Sequence, residues 1–393
     1  DVRRKAFMRV MEERTVLQVI PDTTVINGTK IESIPNTLYS TYKTPLERTR
    51  FKGGIKYCIN NTISYEILIT NKDKPNITFN YVVPKSTKKM IYNSIDSVWK
   101  KTTIEEIEDY TKDIDYSISE YCEIVQKEPY FKSLLCDRRS LSPIPSILSI
   151  SKMLSEGEKV LIQFILEPIE DSWKDKADTD WQDFQRGELK TKNTDKIDGV
   201  MSMIEKTLDG VFSTMDVILG MKSEKKKDKK LKLRKDEKEK LKLKEYTNQK
   251  IRHDAFNGTI RVIATTKDSI KRRRLLSAVE IALKDIKGDN ELVKLKDRGI
   301  SLKAEEAIKK RKRGSGTNIY STDEIAQLIQ LPTADLQKEY NIQRIETKEV
   351  AIPEILFNGY MRLGSATYKT QKDINIFFPT DFDDISKPIG VFG

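Results

Sequence analysis

The residues whose types and order carry the clearest chemistry come last in the sequence. Lys387-Pro388-Ile389-Gly390-Val391-Phe392-Gly393 reads as a short apolar strand ending on glycine. A phosphate-binding loop begins this way, because the backbone N–H groups of a glycine-rich turn can face phosphate oxygens where a helix starts. Gly393 is the candidate first glycine of such a loop. The full G-x-x-x-x-G-K-[ST] pattern also needs a Lys for the β and γ phosphates and a hydroxyl for magnesium. Neither follows in the 393 residues, so this chain is expected to hold no catalytic residue, no cofactor and no metal, and to have no hydrolytic activity.

Two basic runs are the candidate nucleic-acid contacts: Lys271, Arg272, Arg273 and Arg274, and then Lys309, Lys310, Arg311, Lys312 and Arg313, the second leading into Gly314-Ser315-Gly316. Cations in such runs neutralise phosphates and release counterions. No aromatic stacking platform stands beside them, so binding would be salt-sensitive and indifferent to sequence. The competing reading is a pair of solvated faces. Arg272 to Arg274 fall in the first turns of a predicted helix, where positive charge opposes the dipole, so they need acidic or phosphate partners or full solvation.

Other candidates are thinner. His253 is the single His and stands in a polar stretch; Cys58, Cys122 and Cys136 are odd in number with no C-x-x-C spacing, which excludes a disulfide framework or zinc knuckle and implies a reducing, cytosolic setting. Cys136-Asp137-Arg138-Arg139 is the one place where neighbouring cations would activate a thiol. The acidic clusters at Asp381, Asp383 and Asp384 and at Glu105, Glu106, Glu108 and Asp109 have no adjacent nucleophile or His and read as solvated loops.

The elements that must position these residues follow from periodicity. Charged residues make up 33% of the chain and apolar ones 37%, so part of it must be solvated helix or linker. Of the net charge of +11, Lys222 to Lys250 contributes +8, with fourteen cations against six acids. Strand patterns cover Thr15 to Ile20, Ile63 to Ile69, Ile77 to Val83, Thr102 to Ile107, Tyr116 to Val125, which also reads as a helix, Val160 to Leu166 and Thr259 to Thr265, with further strand pieces around Arg344 to Val350, Tyr360 to Leu363 and Ile374 to Phe378. Helical patterns follow Ser86, Ser142 and Ser269, and Ser321-x-x-Glu324 is a capping box that opens a helix ended by Pro332. The order β-α-β-β-α-β over residues 77–166 is the ferredoxin-like pattern. From Asp195 an amphipathic helix is predicted, continuing through the charged Lys222 to Lys250 as a solvent-exposed projection. No apolar run reaches the length of a membrane span.

The stretch Ile319-Tyr320-Ser321-Thr322-Asp323-Glu324-Ile325-Ala326-Gln327-Leu328-Ile329-Gln330-Leu331-Pro332-Thr333 resembles the helix ending in Leu-Pro-Thr that precedes the motor core of HerA/FtsK-type DNA-pumping ATPases. In the coupling-protein-like ATPases of conjugative type IV secretion, a Pro, a Gly, a Leu-Gly, a strand and the P-loop strand follow. Pro353, Gly359, Leu363-Gly364, Ile374 to Phe378 and Ile389 to Gly393 stand here in that order. Upstream, Ser142-Pro143-Ile144-Pro145, Glu156-Gly157-Glu158, Glu167-Pro168, the strand Ile260 to Thr266 and Asn290-x-Leu292 are similar to the accessory region of these ATPases. The resemblance spans residues 77–170 and 255–393 and rests on order rather than on any one motif. It departs where activity would lie, for the Walker A Lys and hydroxyl, the Walker B acid and the arginine finger are absent.

The expected fold is α+β: a β-rich entry region over 1–75, a ferredoxin-like domain over 76–170, a long amphipathic then charged helix over 190–252, a second α+β unit over 255–315, and over 316–393 the lead-in to a P-loop ATPase domain. The resemblance implies the collar of a ring-forming DNA translocase, with ATP and magnesium used by the parent protein. It also implies DNA, further copies of itself and conjugation or secretion machinery as partners, and a place in the cytoplasm or at the inner face of the cell membrane, held there through regions outside this chain. The alternative is a non-enzymatic basic interaction or nucleic-acid-binding module.

Overall fold

Runs of β-branched and aromatic residues pair into one ten-stranded sheet, antiparallel at every junction. The computed structural model describes residues 7–10, 12–44, 47–50, 55–58, 62–137, 142–186, 188–189, 231–232, 245–314, 316, 318–342, 352, 354–359, 361–368 and 371–378. They belong to two compact units, Asp1–Arg344 and Ile345–Gly393.

The large unit contains the sheet. Its first half runs β1 (Arg14–Ile20), α1 (Ser33–Tyr39), β2 (Ile63–Asn71), β3 (Pro75–Pro84), α2 (Lys88–Val98) and β4 (Thr103–Ile107). The second runs β5 (Ser119–Gln126), α3 (Ile144–Ser149), β6 (Lys159–Pro168), α4 (Ser172–Gln185), α5 (Glu245–Lys250), β7 (Ala255–Thr265), α6 (Ser269–Leu283) and β8 (Leu292–Lys294). After it come β9 (Arg298–Gly299), α7 (Leu302–Lys309), β10 (Ile319–Ser321), α8 (Thr322–Leu328) and α9 (Ala334–Glu339). The sheet order is β8-β5-β7-β6-β2-β3-β1-β4, with β9 beside β5 and β10 beside β7. Within each half the strands stand fourth, first, third, second. The halves meet second strand to second strand, Ile63 opposite Leu166 through Thr70 opposite Lys159, so the order is palindromic about that junction.

One sheet face is apolar and covered by helices. Leu17, Tyr81, Tyr65, Phe164, Val262 and Ile124 point into the same core as Ile34 of α1, Ile95 of α2, Leu148 of α3 and Val279 of α6. Helix α8 fills this layer beside α1, with Ile325, Ala326 and Leu328 all buried. Both hydrogen bonds of its predicted capping box are present: Ser321 Oγ accepts from Glu324 N at 3.2 Å, and Glu324 Oε2 accepts from Ser321 N at 2.8 Å.

Four features differ from the sequence reading. The β-α-β-β-α-β run over 77–166 exists as β3, α2, β4, β5, α3 and β6, but the sheet places β4 at one edge and β5 beside the other. The link between them is no tight hairpin; Asp109 and Asp115 accept from Thr111 N and Ser117 N, each at 3.0 Å, and shape two short 3₁₀ turns that carry the chain across. The segments expected as a β-rich entry and as a second α+β unit contribute strands to this same sheet. The charged helix expected over 190–252 is not continuous where it is described, since Leu231–Lys232 pairs with Glu188–Leu189 as antiparallel strand. Its last turn, α5, is not solvated either, because Thr247 and Lys250 are buried against the second half. The rest of that call, residues 190–230 and 233–244, lies outside the described residues.

A three-stranded sheet joins Phe7–Val10 to Ile55–Cys58 in parallel and Ile55–Cys58 to Thr49–Arg50 in antiparallel fashion. The small unit contains an antiparallel hairpin of β11 (Met361–Tyr368) and β12 (Gln371–Phe378), preceded by a 3₁₀ turn at Glu354–Leu356. The expected strand at 344–350 and the terminal strand ending at Gly393 both fall wholly outside the described residues.

Candidate nucleic-acid interface

Helix α6 carries the first basic run. Asp268 caps it, accepting from Ile270 N at 2.8 Å and Lys271 N at 3.3 Å. Lys271 Nζ pairs with Glu158 at 2.5 Å and donates to Ser155 Oγ at 2.8 Å. Arg272 pairs with Glu120 at 3.1 Å and donates to the Thr266 carbonyl at 2.6 Å. These two side chains tie the helix start to the ends of β5, β6 and β7, and the acidic partners that the helix dipole demands are found within the chain. Arg273 and Arg274 are exposed and make no ion pair among the described residues.

The second run closes α7 and is neutralised throughout. Lys309 pairs with Glu305 at 2.5 Å and Lys310 with Glu306 at 2.7 Å, one helical turn back in each case. Lys312 shares Glu306 at 3.0 Å, and the two lysines hold that carboxyl down at about 2. Arg313 pairs with Glu167 at 2.9 Å. Arg311 turns inward, only 1% exposed, and so is closed to any phosphate.

Its destination is a polar row across the second face of the sheet. Paired residues place Gln18, Asn80, Glu66, Gln163, Arg261 and Glu123 in one line, a neighbour on each successive strand. Arg311 Nε donates to Glu66 Oε1 at 3.0 Å, and its terminal nitrogens donate to both oxygens of Asp109, at 2.9 Å to Oδ1. Gln163 Nε2 also donates to Glu66 Oε1 at 3.0 Å, and the Tyr110 hydroxyl donates to Glu66 Oε2. Arg261 donates to Glu123 at 2.9 Å and to the Lys312 carbonyl at 3.1 Å. A Cβ on Gly314 would come within 2.6 Å of Glu123 Oε2, so a side chain there would have to push the Glu123 carboxylate off its place beside Arg261.

The backbone at Arg311 adds to the picture. Its φ of 46° is left-handed, the conformation that glycine usually supplies one residue past a helix end. Lys312 N donates to the Ala307 carbonyl at 2.9 Å and Arg311 N to the Ile308 carbonyl at 3.1 Å, the two bonds of a Schellman motif. The chain thus carries an arginine in glycine's place, and what compensates is the pairing of its guanidinium.

Burial works against the Asp109 carboxylate, but the hydrogen bonds and charge of Arg311, with help from Thr111, outweigh it and hold the carboxyl below its ordinary 3.8. Glu158 is likewise opposed by burial and held low by Lys271, Thr266 and Ser155. Both acids bind protons less readily folded than unfolded. The stability they contribute is complete above their unfolded values and is lost as pH falls through the lowered folded values. We expect the urea midpoint to fall progressively below about pH 4, and Asp109→Asn to flatten that slope. Parallel slopes for the two proteins would refute the role given to Asp109.

Sequence reasoning missed Glu66, Gln163, Arg261 and Glu123. The available signal was a single charged residue inside an otherwise uncharged strand, as in Ile63-Ser64-Tyr65-Glu66-Ile67 or Ile260-Arg261-Val262. Cys136 is no activated thiol: it is buried, which pushes its pKa up, while Arg138 and Arg139 lie outside the described residues. Among the described residues no His, Cys, Asp and Glu group could hold a metal, and no helix is long and apolar enough to cross a membrane. No protein-family model matches the chain, and no curated protein matches it.

Proposed function

We propose that the chain is the accessory, non-catalytic part of a ring-forming DNA-pumping ATPase of the kind that serves conjugation or type IV secretion. On this reading its two halves, each with ferredoxin-like strand order, form a collar around the path of the DNA. The observation that carries it is the setting of Ser321 to Thr333, the stretch that resembles the helix leading into the motor.

This stretch is the keystone of the large unit. Tyr65 in the central strand β2 donates its hydroxyl to the Gln330 carbonyl at 3.2 Å, Asn27 donates to the Leu331 carbonyl at 2.7 Å, and Glu324 receives Lys250 from the second half. Just beyond it, Gln337 donates to the carbonyls of Asp22 and Pro332, at 2.9 and 2.8 Å. A segment so tied transmits load from whatever follows it into both halves, which is what a collar must do. ATP and magnesium belong, on this reading, to the parent protein; Gly393 lies outside the described residues and no step is derived through the nucleotide. The alternative, a non-enzymatic basic interaction or nucleic-acid-binding module, would draw on Arg273 and Arg274, the two of the nine candidate cations that stand exposed and without an ion pair among the described residues, and on the basic stretch 222–250, most of which lies outside them.

The test compares this chain with one extended through the residues that follow Gly393 in its gene. The short chain should not turn over ATP, for want of a Lys and a hydroxyl at the γ-phosphate. An extended chain that carries a P-loop should hydrolyse ATP, respond to DNA and scatter light as a closed oligomer. An extended chain that stays monomeric and idle with DNA, or that contains no P-loop, would sink the proposal.

A further inference from the structure

The outward face of α6 has a use that the polar contacts at its start leave open. Ile270 is 62% exposed and Ile281 64%, far more than a helix of a covered layer requires. At 100° per residue they lie within a narrow angle of one another, with Ser277 between them, about 16 Å apart along the helix. They form the crest. Arg273 and Lys284 flank the crest on one side and Arg274 on the other, all exposed, with exposed Lys267 just ahead of the first turn. Met153, 41% exposed, stands beside the first turns, two residues before the Ser155 that receives Lys271.

Helix α2 holds the equivalent place in the first half and serves as an internal comparison. Its two exposed large apolar side chains, Met90 and Tyr92, each reach only 38%. The fold therefore does not oblige this position to show aliphatic side chains to solvent. A phosphate-binding helix would put its cations on the crest, where a nucleic-acid backbone first touches. Here the crest is apolar and the cations sit to its sides. The two carboxylates at the helix ends are both engaged, Asp268 as the cap and Asp285 with the Ser146 hydroxyl.

We propose that α6 is a membrane-surface helix that docks on an anionic lipid bilayer. Ile270 and Ile281, with Met153 beside them, enter the boundary between headgroups and acyl chains. Lys267, Arg273, Arg274 and Lys284 meet the lipid phosphates around them. This goes beyond the collar reading and does not depend on it, for it concerns a face of this chain alone.

The experiment sediments the protein with vesicles of phosphatidylcholine alone and of phosphatidylcholine mixed with phosphatidylglycerol, with a duplex oligonucleotide as a separate arm. Binding should appear only on the mixed vesicles and weaken with salt. The pair Ile270→Ser and Ile281→Ser should reduce it at least about ten-fold, and so should Arg273→Glu with Arg274→Glu. All four sites are exposed, so both variants should melt like the parent, and a normal circular-dichroism melt confirms that the comparison is fair. No binding to mixed vesicles overturns the proposal. So does vesicle binding that ignores both pairs of changes. Loss of duplex and vesicle binding on charge reversal, with the serine variant unaffected in both, would assign the face to nucleic acid instead and equally overturn it.

Discussion

Replacing Arg311 by alanine should lower the stability of the large unit by roughly 3–5 kcal/mol, the cost of removing one partner from a buried ion pair. The change strands Glu66, which is fully buried and would keep only the Tyr110 hydroxyl and Gln163 amide as donors. It also releases Asp109 and frees the strap that covers the polar row. A lysine should not rescue it, because one ammonium cannot serve Glu66 and Asp109 with the fork geometry the guanidinium uses. The backbone supplies a sharper test. Alanine keeps the left-handed strain at this position while glycine relieves it, so Arg311→Gly should be more stable than Arg311→Ala by about 1 kcal/mol, although both lose the same ion pairs. Urea unfolding of the three variants gives the ranking. If alanine and glycine are equal, or if alanine stays within about 0.5 kcal/mol of the parent as an ordinary surface change would, Arg311 does not anchor the strap.

That arginine also shows where the sequence was legible and where it was not. Seven of the ten strands of the large sheet could be read from alternation or apolar runs, though Tyr116–Ile118 forms a 3₁₀ turn and β7 begins four residues earlier, at Ala255. The short β8, β9 and β10 carry too few residues to show a pattern, and the capping box at Ser321 and Glu324 stands as predicted. Which strands pair could not be read from local pattern. Each half inserts its first strand between its third and fourth, so β3 and β5 belong to different halves although they stand close in sequence. The polar row suffers from the same limit. A lone Glu66, Gln163 or Arg261 is visible in its own strand, but only register brings the three into line. The basic run at 309–313 misled for a simpler reason. Glu305 and Glu306 precede Lys309 and Lys310 by one helical turn, and charge counted within the run alone omits partners that lie just before it or on distant strands.

Glu324→Gln should be as damaging as the loss of Arg311, roughly 3–5 kcal/mol, and should leave a distinct pH signature. Lys250 and Glu324 form an ion pair at 3.0 Å with both side chains shut off from solvent. The pair joins α5 to α8, and Glu324 also accepts from Leu134 N at 2.8 Å. Burial depresses the Lys250 pKa below 10.5, and the Glu324 charge and hydrogen bond oppose that depression. Removing the charge removes the opposition, so in Glu324→Gln the folded-state value falls further. The unfolded chain then binds a proton that the folded chain resists, and stability rises with pH between the lowered folded value and the unfolded one. The variant should therefore recover stability toward alkaline pH more steeply than the parent. Lys250→Met should abolish this recovery, because it removes the group that titrates, and the double variant should cost far less than the sum of the two single changes. Additive costs, or an alkaline slope unchanged by Glu324→Gln, would show that Lys250 and Glu324 do not act as a pair and that α5 is held to the keystone helix by its other contacts.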